Sequence, residues 1–262
     1  AKTVDVQGAT QTGKPVFQGG TAMVNGEEKT VEIDEDKPAK LVDPKTGEQV
    51  DSVTIEGEGT YTVAPDGTVT FTPEKTFTGV AKGVEVVRQD KNGTPAKATY
   101  TPEVKPVTPT GTDAVTEDVQ GSTQTGKPTF EGGKVTVNGE EKTVEIDPAT
   151  YTLLGEDGQP ATEVPAKDPE GNVIGEYTLE VVDGKAVGVL TPNSTYYGEV
   201  KPVTVRAADT NGITVETTYT PYITPVTPTA TPDTSEGIQG KSQEGTPTFT
   251  EGDKKVPINL EK

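Results

Sequence analysis

The sequence predicts an all-β protein, built of tandem antiparallel β-sandwich modules arranged as an elongated rod. Three observations lead to this fold class. The chain is rich in Thr and Val, whose branched side chains favour strands over helices. Only 29% of its 262 residues are hydrophobic, which is too little to fill one large core. The sequence also repeats itself, so small modules with thin cores are expected.

Internal repeats define the order of these modules. The segment NGEEKTVEID stands at residues 25–34 and again at 138–147. The motif VQG-x-TQTGKP-x-F-x-GG begins at Val6 and Val119, and a variant of it begins at Ile238. The chain therefore contains two full copies and the opening of a third.

We expect copy one at residues 1–110, copy two at 111–229 and a truncated third copy at 230–262. The seams between them are rich in Thr and Pro, so they should be extended and semi-rigid rather than floppy. Because no targeting signal is visible and residue 1 is Ala, the chain is expected to be an internal piece of a longer protein.

Several segments are predicted to be strands, because apolar and β-branched residues alternate there between turn residues. The predicted strands are residues 29–33, 59–63, 67–71 and 177–182. Apolar and polar residues also alternate at residues 84–86 and 203–207, and each segment is followed by Asp-x-Asn-Gly a few residues later. Asn-Gly predicts a hairpin with a type I′ turn at both places.

Two further local features are predicted. Asp147-Pro148 is expected to begin one short helical turn that ends near Leu154. The aromatic residues recur in step with the repeat and are expected to anchor the cores, with a binding platform as the alternative. These residues are Phe17, Phe130 and Phe249; Phe77 and Tyr196; Tyr100 and Tyr219.

The charge balance narrows the choice of partners. The chain has 23 basic and 42 acidic residues, a net charge of −19. Phosphate backbones and anionic membrane surfaces would be repelled, so neither nucleic acid nor a membrane is an expected partner. No apolar run approaches the ~18 residues of a membrane span. We expect a monomer.

The absence of Cys and His excludes most catalytic chemistry. Without Cys there are no disulfides, thiolate zinc sites or cysteine nucleophiles. Without His there is no Ser-His-Asp triad and no common general base near neutral pH. We therefore predict no enzyme, no cofactor, and no catalytic, cofactor-binding or metal-binding residues.

Three patterns in the sequence are candidate sites. Asp-x-Asn-Gly at 90–93 and 209–212 matches part of a calcium loop, but no bidentate acid follows, which favours a plain hairpin. The acid pairs Glu32/Asp34 and Glu145/Asp147 share a strand face, which favours a solvated surface over acid–base chemistry. The Gly-Gly pairs at 19–20 and 132–133 are expected to be turns rather than phosphate loops.

An internal isopeptide crosslink would need a buried Lys beside Asn or Asp, with a neighbouring acid. Lys14 and Lys127 recur, but Thr246 replaces them in copy three. Lys29 and Lys142 also recur, as do Asn92 and Asn211, although those Asn residues are better explained by the turn. A crosslink is the weaker interpretation.

These repeated motifs resemble a known family. The opening VQG-x-TQTG-x-P and the later D-x-N-G, T-Y-T-P and P-V-T-P-T are similar to the CshA-type fibril repeats of streptococcal cell-wall-anchored surface adhesins. The resemblance covers nearly the whole chain. It implies a non-catalytic stalk on the cell surface that projects an adhesive region, with host proteins or other bacteria bound through the parent adhesin.

Neighbouring repeats of the same chain are the partners expected for these modules themselves. The alternative is that the repeats bind a host protein or glycan directly, for example by pairing a peptide to an edge strand. The copies differ most at residues 35–70 and 148–189, which is where such an activity would be expected. The loose strand at residues 245–250 could pair in this way.

Overall fold

The computed structural model describes residues 1–259, which contain strands and turns but no α-helix. Within that range there is accordingly no helix with the length and apolar character to cross a membrane. The chain forms two compact units. Unit 1 contains Ala1–Pro109, Gly132–Ile146 and Asp209–Ile213, and unit 2 contains the other described residues.

The strands are numbered in chain order. The first fourteen are β1 (Lys2–Val6), β2 (Gln11–Gly13), β3 (Gly20–Val24), β4 (Glu27–Val31), β5 (Lys40–Val42), β6 (Gln49–Val50), β7 (Ser52–Ile55), β8 (Gly59–Val63), β9 (Val69–Pro73), β10 (Gly79–Val80), β11 (Val84–Gln89), β12 (Pro95–Lys105), β13 (Thr110–Thr112) and β14 (Ala114–Val119). The others are β15 (Gln124–Gly126), β16 (Thr129–Glu131), β17 (Gly133–Val137), β18 (Glu140–Val144), β19 (Ile146–Leu154), β20 (Pro160–Ala161), β21 (Glu163–Lys167), β22 (Val173–Val182), β23 (Lys185–Pro192), β24 (Gly198–Glu199), β25 (Val203–Asp209), β26 (Thr214–Thr224), β27 (Thr229–Thr231) and β28 (Thr248–Thr250).

Unit 1 is a two-sheet sandwich. One sheet has the order β1-β12-β11-β5-β6 with β10 beside β12, and the other has the order β2-β9-β8-β7. All these pairs are antiparallel except β1 with β12, which is parallel. The hairpins β3–β4 and β17–β18 are separate two-stranded sheets in the same unit.

Unit 2 repeats this topology. Its sheets have the orders β14-β26-β25-β19-β20, with β24 beside β26, and β15-β23-β22-β21. The parallel pair is again the first strand with the long late strand, β14 with β26. Two short antiparallel pairs, β13–β16 and β27–β28, lie at the Thr/Pro seams. The segment predicted to be a loose strand is thus paired with β27 through residues 248–250.

The all-β sandwich prediction is confirmed. The predicted strand at 59–63 is β8, the one at 177–182 is the second half of β22, and those at 29–33 and 67–71 are shifted by about two residues to β4 and β9. The hairpins β11–β12 and β25–β26 join where Asp-x-Asn-Gly predicted a turn.

The predicted turn type at these two hairpins is wrong. Only the glycines, Gly93 and Gly212, have positive φ, whereas a type I′ turn needs positive φ at the preceding Asn as well. In copy one the Gly93 amide donates to the Asp90 carbonyl, and the Asp90 carboxylate accepts from the amides of Asn92 and Thr94. The Asp side chain therefore stabilises a wider loop.

Asn-Gly and Asp-Gly do adopt the double positive-φ geometry elsewhere. In the β3–β4 hairpin Asn25 and Gly26 have φ of 53° and 83°, and in β17–β18 Asn138 and Gly139 have 50° and 85°. Asp183 also has positive φ, at the turn between β22 and β23. These turns are two residues long, so the strand twist requires the I′ geometry there.

The predicted helical turn after Asp147 is also wrong, because residues 146–154 form strand β19. Leu153 is fully buried and the ring of Tyr151 packs against Phe130, with centroids 5.4 Å apart. The Thr150 hydroxyl accepts a hydrogen bond from the Ala208 amide at 2.8 Å, which ties β19 to β25. Sheet pairing and core packing outweigh the local Asp-Pro signal.

The expected turns at the Gly-Gly pairs are strand starts instead. Gly20 begins β3 and Gly133 begins β17. A Cβ at the preceding glycines would lie 2.2 Å from a carbonyl oxygen, that of Val31 for Gly19 and that of Val144 for Gly132. Close backbone approach, rather than positive φ, explains these glycines.

Each unit has one thin aromatic core, as the sequence predicts. In unit 1 the ring of Tyr61 lies 4.6 Å from Phe71 and 6.3 Å from Tyr100. In unit 2 the ring of Tyr177 lies 5.9 Å from Tyr219. Among the other recurring aromatics, those packed against the cores are Phe17, Phe77, Phe130 and Tyr196. The core prediction is wrong for Phe249, which is 64% exposed.

A buried tyrosine hydroxyl organises each core. The Thr3 hydroxyl donates to Gln11 Oε1 at 2.6 Å, so the Tyr100 hydroxyl, 2.8 Å away, must donate to Thr3. Gln11 in turn donates to the Glu103 carbonyl at 2.9 Å. Burial raises the pKa of Tyr100, which keeps its hydroxyl protonated as a donor.

We expect Tyr100→Phe to lower the free energy of unfolding by about 1 kcal/mol, because it removes one buried hydrogen bond and leaves the ring in place. Tyr219→Phe should behave alike, since Tyr219 contacts Thr116 at 3.0 Å in the same arrangement. Urea unfolding measures both. The control is Tyr197→Phe, at a side chain that is 58% exposed, which should change nothing. Equal effects of all three variants would contradict this role.

Candidate functional site

Unit 1 combines parts of two sequence copies, and their contact is the candidate site. From copy two come the hairpin Gly132–Ile146 and the turn Asp209–Ile213, which we together call the clasp. From copy one come residues 5–9 at the end of β1, Lys75, and residues 107–108 of the seam, which we call the seat.

An apolar cluster lies at the centre of this contact. Val6 and Val107 of the seat pack with Val144 of the clasp, and all three are buried. Ala9 and Val135 are partly buried against them. Few apolar residues are available in this chain, so their use here indicates that the contact contributes to stability.

Glycine allows the two backbones to approach closely. A Cβ at Gly133 would lie 2.6 Å from the Thr108 amide nitrogen and 2.8 Å from Val107 Cβ. Any larger residue at this position would push the hairpin away from the seam. Gly133 is therefore required by the approach of copy one, and not by the conformation of copy two.

The turn of the clasp reaches the seat through Asn211. Its Nδ2 donates to the Gln7 carbonyl at 2.9 Å. Gly8 has φ of +81°, and a Cβ there would lie 2.1 Å from Asn211 Oδ1, so both the backbone and the neighbour require glycine. Nearby, Lys75 Nζ donates to the Thr210 carbonyl at 3.0 Å.

An ion pair also joins the clasp to the seat. Lys142 Nζ lies 2.6 Å from Asp5 Oδ1, and the Asp5 side chain is only 19% exposed. Partial burial makes this pair stronger than a fully solvated one, because water screens it less.

The clasp is held together as one piece. The Thr210 amide donates to the Glu145 carbonyl at 2.9 Å, which joins the turn to the end of the hairpin. The buried Asp209 carboxylate accepts from the amides of Asn211 and Ile213, each at 2.9 Å. The backbone of the turn that carries Asn211 is thus held by contacts within the clasp.

Unit 2 contains the corresponding contact with the third copy. A Cβ at Gly252 would lie 2.5 Å from the Thr227 carbonyl oxygen, which matches Gly133 at Thr108. Lys255 Nζ lies 2.7 Å from both carboxylate oxygens of Asp118, the counterpart of Asp5. The hydrogen bond from Lys255 lowers the pKa of Asp118.

The segments weighed as a calcium loop are hairpin turns in the structure, and the one in copy two belongs to the clasp. Within residues 1–259 no group of three or more Asp or Glu side chains is arranged to hold a metal ion. The remaining Asp209 oxygen, Oδ2, is buried and has no hydrogen-bond partner in that part of the chain.

The prediction that each acid pair shares a strand face is wrong, because β4 ends at Val31 and Glu145 lies between β18 and β19. These acids lie at or near the surface. Glu32 is exposed and 2.7 Å from Lys91 Nζ, and this hydrogen bond lowers the pKa of Glu32. The Asp34 carboxylate accepts from the Asp36 amide. Glu145 is exposed as well.

The lysines considered for a crosslink form surface contacts. Lys14 pairs with Asp66 at 2.8 Å, where both side chains are more than half exposed. This hydrogen bond lowers the pKa of Asp66 to about 2. Lys127 is exposed, and Lys29 pairs with Glu27 at 2.9 Å. Lys142 differs from its counterpart Lys29, because its partner lies in the preceding copy.

Sequence reasoning did not identify the clasp or the seat. A signal was present, since NGEEKTVEID is identical in both copies although most of its residues are polar and solvent-facing. Identity on a polar surface is unexpected unless that surface makes a contact. Local patterns predict only a hairpin turn and a solvated strand face for the same residues.

The fold and the clasp define a tandem-repeat β-sandwich protein whose copies interlock with the next copy along the chain. The chain belongs to the family described as the surface adhesin CshA repetitive domain, which matches residues 1–104, 106–223 and 225–262. The family resemblance seen in the sequence is thereby confirmed. Among curated proteins, none matches this chain.

Several solved structures are similar. Repeat domain 13 of the fibrillar adhesin CshA from Streptococcus gordonii is 51% identical, covers 28% of this chain and 86% of its own, and has a TM-score of 0.16. A tetra-tandem repeat from the extending region of a large adhesion protein is 16% identical, covers 86% and 51%, with a TM-score of 0.31. A titin I9-I11 tandem is 12% identical, covers 86% and 64%, with a TM-score of 0.32. This chain thus spans less than two thirds of either tandem array.

We expect Gly133→Ala to lower the free energy of unfolding by about 1–3 kcal/mol, because its methyl group would overlap the seam backbone. The matched control is Gly20→Ala at the same position of copy one. A Cβ at Gly20 would meet nothing within 4 Å, so no loss is expected. Urea unfolding of the two variants compares them. Equal losses would mean that the seam contact is not what requires glycine.

The Lys142–Asp5 pair should show a coupling energy of about 0.5 kcal/mol in a double-mutant cycle with alanine, because it is partly shielded from water. The coupling should fall as salt is raised. The control pair is Lys29–Glu27, whose side chains are 61% and 74% exposed and should show no measurable coupling. A coupling in the control pair as large as in the test pair would contradict this account.

Proposed function

We propose that this chain is a non-catalytic structural part of a bacterial surface fibril. Its copies, at residues 1–110, 111–229 and the beginning at 230–262, form a stalk that projects an adhesive region from the cell wall. The adhesion is to host proteins or to other bacteria, through the parent adhesin. The observation that supports this proposal is the clasp, in which one copy grips the end of the copy before it.

The clasp provides the mechanical property that a stalk needs. A Thr/Pro seam alone limits bending only through its own stiffness. The clasp adds an apolar cluster, an ion pair and side-chain hydrogen bonds between copy two and copy one. Pulling the two copies apart would require these contacts to break, so the joint resists separation. The stability of such an array is the sum of each copy and its contact with the next.

The composition supports a structural rather than an enzymatic role. The chain has no Cys or His, and its net charge of −19 would repel identical fibrils at short range. The family description as a surface adhesin supports a location outside the cell. Anchoring to the cell wall and the adhesive contact itself are assigned here to other parts of the parent protein.

Small-angle X-ray scattering on the 262-residue chain tests the stalk. One compact domain of this length would have a radius of gyration of ~18 Å. For copies held in line by their joints we expect a value near ~30 Å. A value near that of the compact domain would contradict the stalk, because the copies would then fold back on one another. Measurements at two protein concentrations separate chain dimensions from association.

A further inference from the structure

Copy one carries the same clasp as copy two, and this clasp is exposed. Its hairpin is β3–β4 and its turn is residues 90–93. The apolar residues on the corresponding face of this hairpin are Ala22, Val24 and Val31, the counterparts of Val135, Val137 and Val144. Val24 is 47% exposed, whereas Val137 is 2% exposed. The glycine that meets the seam in copy two, Gly133, corresponds to Gly20, which meets nothing within 4 Å.

The exposed clasp is already assembled. The Lys91 amide donates to the Glu32 carbonyl at 3.0 Å, as Thr210 does to Glu145 in copy two. Ile33 forms a β-bridge with Asp90, which holds the turn against the chain leaving the hairpin. The Asp90 carboxylate fixes the amide of Asn92, the counterpart of Asn211. The backbone of this face needs no rearrangement in order to bind.

We propose that the clasp of copy one binds the seat of a preceding repeat of the same kind. The inference rests on the proposed function and deepens it by naming the partner of this surface. The predicted contacts follow from copy two. Asn92 donates to the carbonyl that corresponds to that of Gln7, Lys29 leaves Glu27 to pair with the counterpart of Asp5, and Gly20 meets the Thr/Pro seam.

The chemistry of the seat makes this recognition selective. The clasp requires a glycine where Asn92 approaches, an acid opposite Lys29 and a valine pair for its apolar side. Residues 6–8 and 119–121 both read Val-Gln-Gly, each preceded by Asp. A preceding copy with this Asp-Val-Gln-Gly sequence supplies the acid, one valine, the acceptor carbonyl and the glycine, and its seam supplies the second valine. An unrelated sandwich domain at the same place would lack them.

Thiol reactivity in an extended chain tests the proposal. The extension repeats residues 1–113 directly before Ala1, which reproduces the spacing from copy one to Ala114. The chain has no Cys, so a single Val24→Cys substitution in the original copy gives one thiol. Its alkylation rate is measured in the original and in the extended chain.

We expect the Val24→Cys thiol to react about ten-fold more slowly in the extended chain, because the added seat covers it. The matched control is Met23→Cys, one residue away on the other face. Met23 is 68% exposed and its counterpart Thr136 stays exposed in the occupied clasp, so its rate should change less than about two-fold. Val107→Asp in the added segment should restore fast reaction at Val24→Cys, because it places a charge in the apolar cluster.

Equal Val24→Cys rates in the two chains would overturn the proposal, as would equal slowing at both positions. Thermal unfolding of each variant confirms that the compared chains are folded. The result is distinguishable from a failure of the stalk. A compact radius of gyration with a protected thiol would contradict the stalk and support the docking, whereas an extended chain with a reactive thiol would do the reverse.

Discussion

The fold depends on one tyrosine in each copy, packed directly against a glycine of the opposite sheet. A Cβ at Gly13 would lie 2.2 Å from the Tyr100 ring, and one at Gly126 would lie 2.1 Å from the Tyr219 ring. A chain with so few apolar residues needs a large ring to span the gap between its sheets. The glycine lets the ring reach the backbone of the facing strand.

The same tyrosine positions the seat. Its hydroxyl binds Thr3 on β1, and Thr3 binds Gln11 on β2. The chain between these two strands crosses from one sheet to the other, and it contains Gln7 and Gly8. Two further hydrogen bonds hold Gln7 in place. Its side-chain Nε2 donates to the Lys75 carbonyl at 3.0 Å, and its backbone amide donates to the Lys105 carbonyl at 2.9 Å. The tyrosine in the core thus helps to position the seat, which the clasp of the next copy contacts.

The sequence was most informative where a residue's role is local or periodic. The repeat, the hairpins around Asp-x-Asn-Gly and strand β8 were predictable, because alternation and turn residues act within a few positions. The type of turn could not be predicted in the same way, because the side chains of Asp90 and Asp209 stabilise a wider loop. Strand β19 was missed for a related reason, since its pairing with β25 and the burial of Leu153 override the Asp-Pro signal.

The all-β class and the aromatic anchors other than Phe249 could be predicted from the sequence, since they depend on composition and alternation. Which residues of one copy touch the next could be seen only once the chain was folded. Lys142 and Asp5 are 137 positions apart, and Asn211 and Gln7 are 204 apart. No local pattern relates residues so distant, because the fold of the intervening chain alone brings them together. The sequence around Gly133 predicts a turn. In the structure the glycine is required because the backbone of the preceding copy lies too close for a side chain.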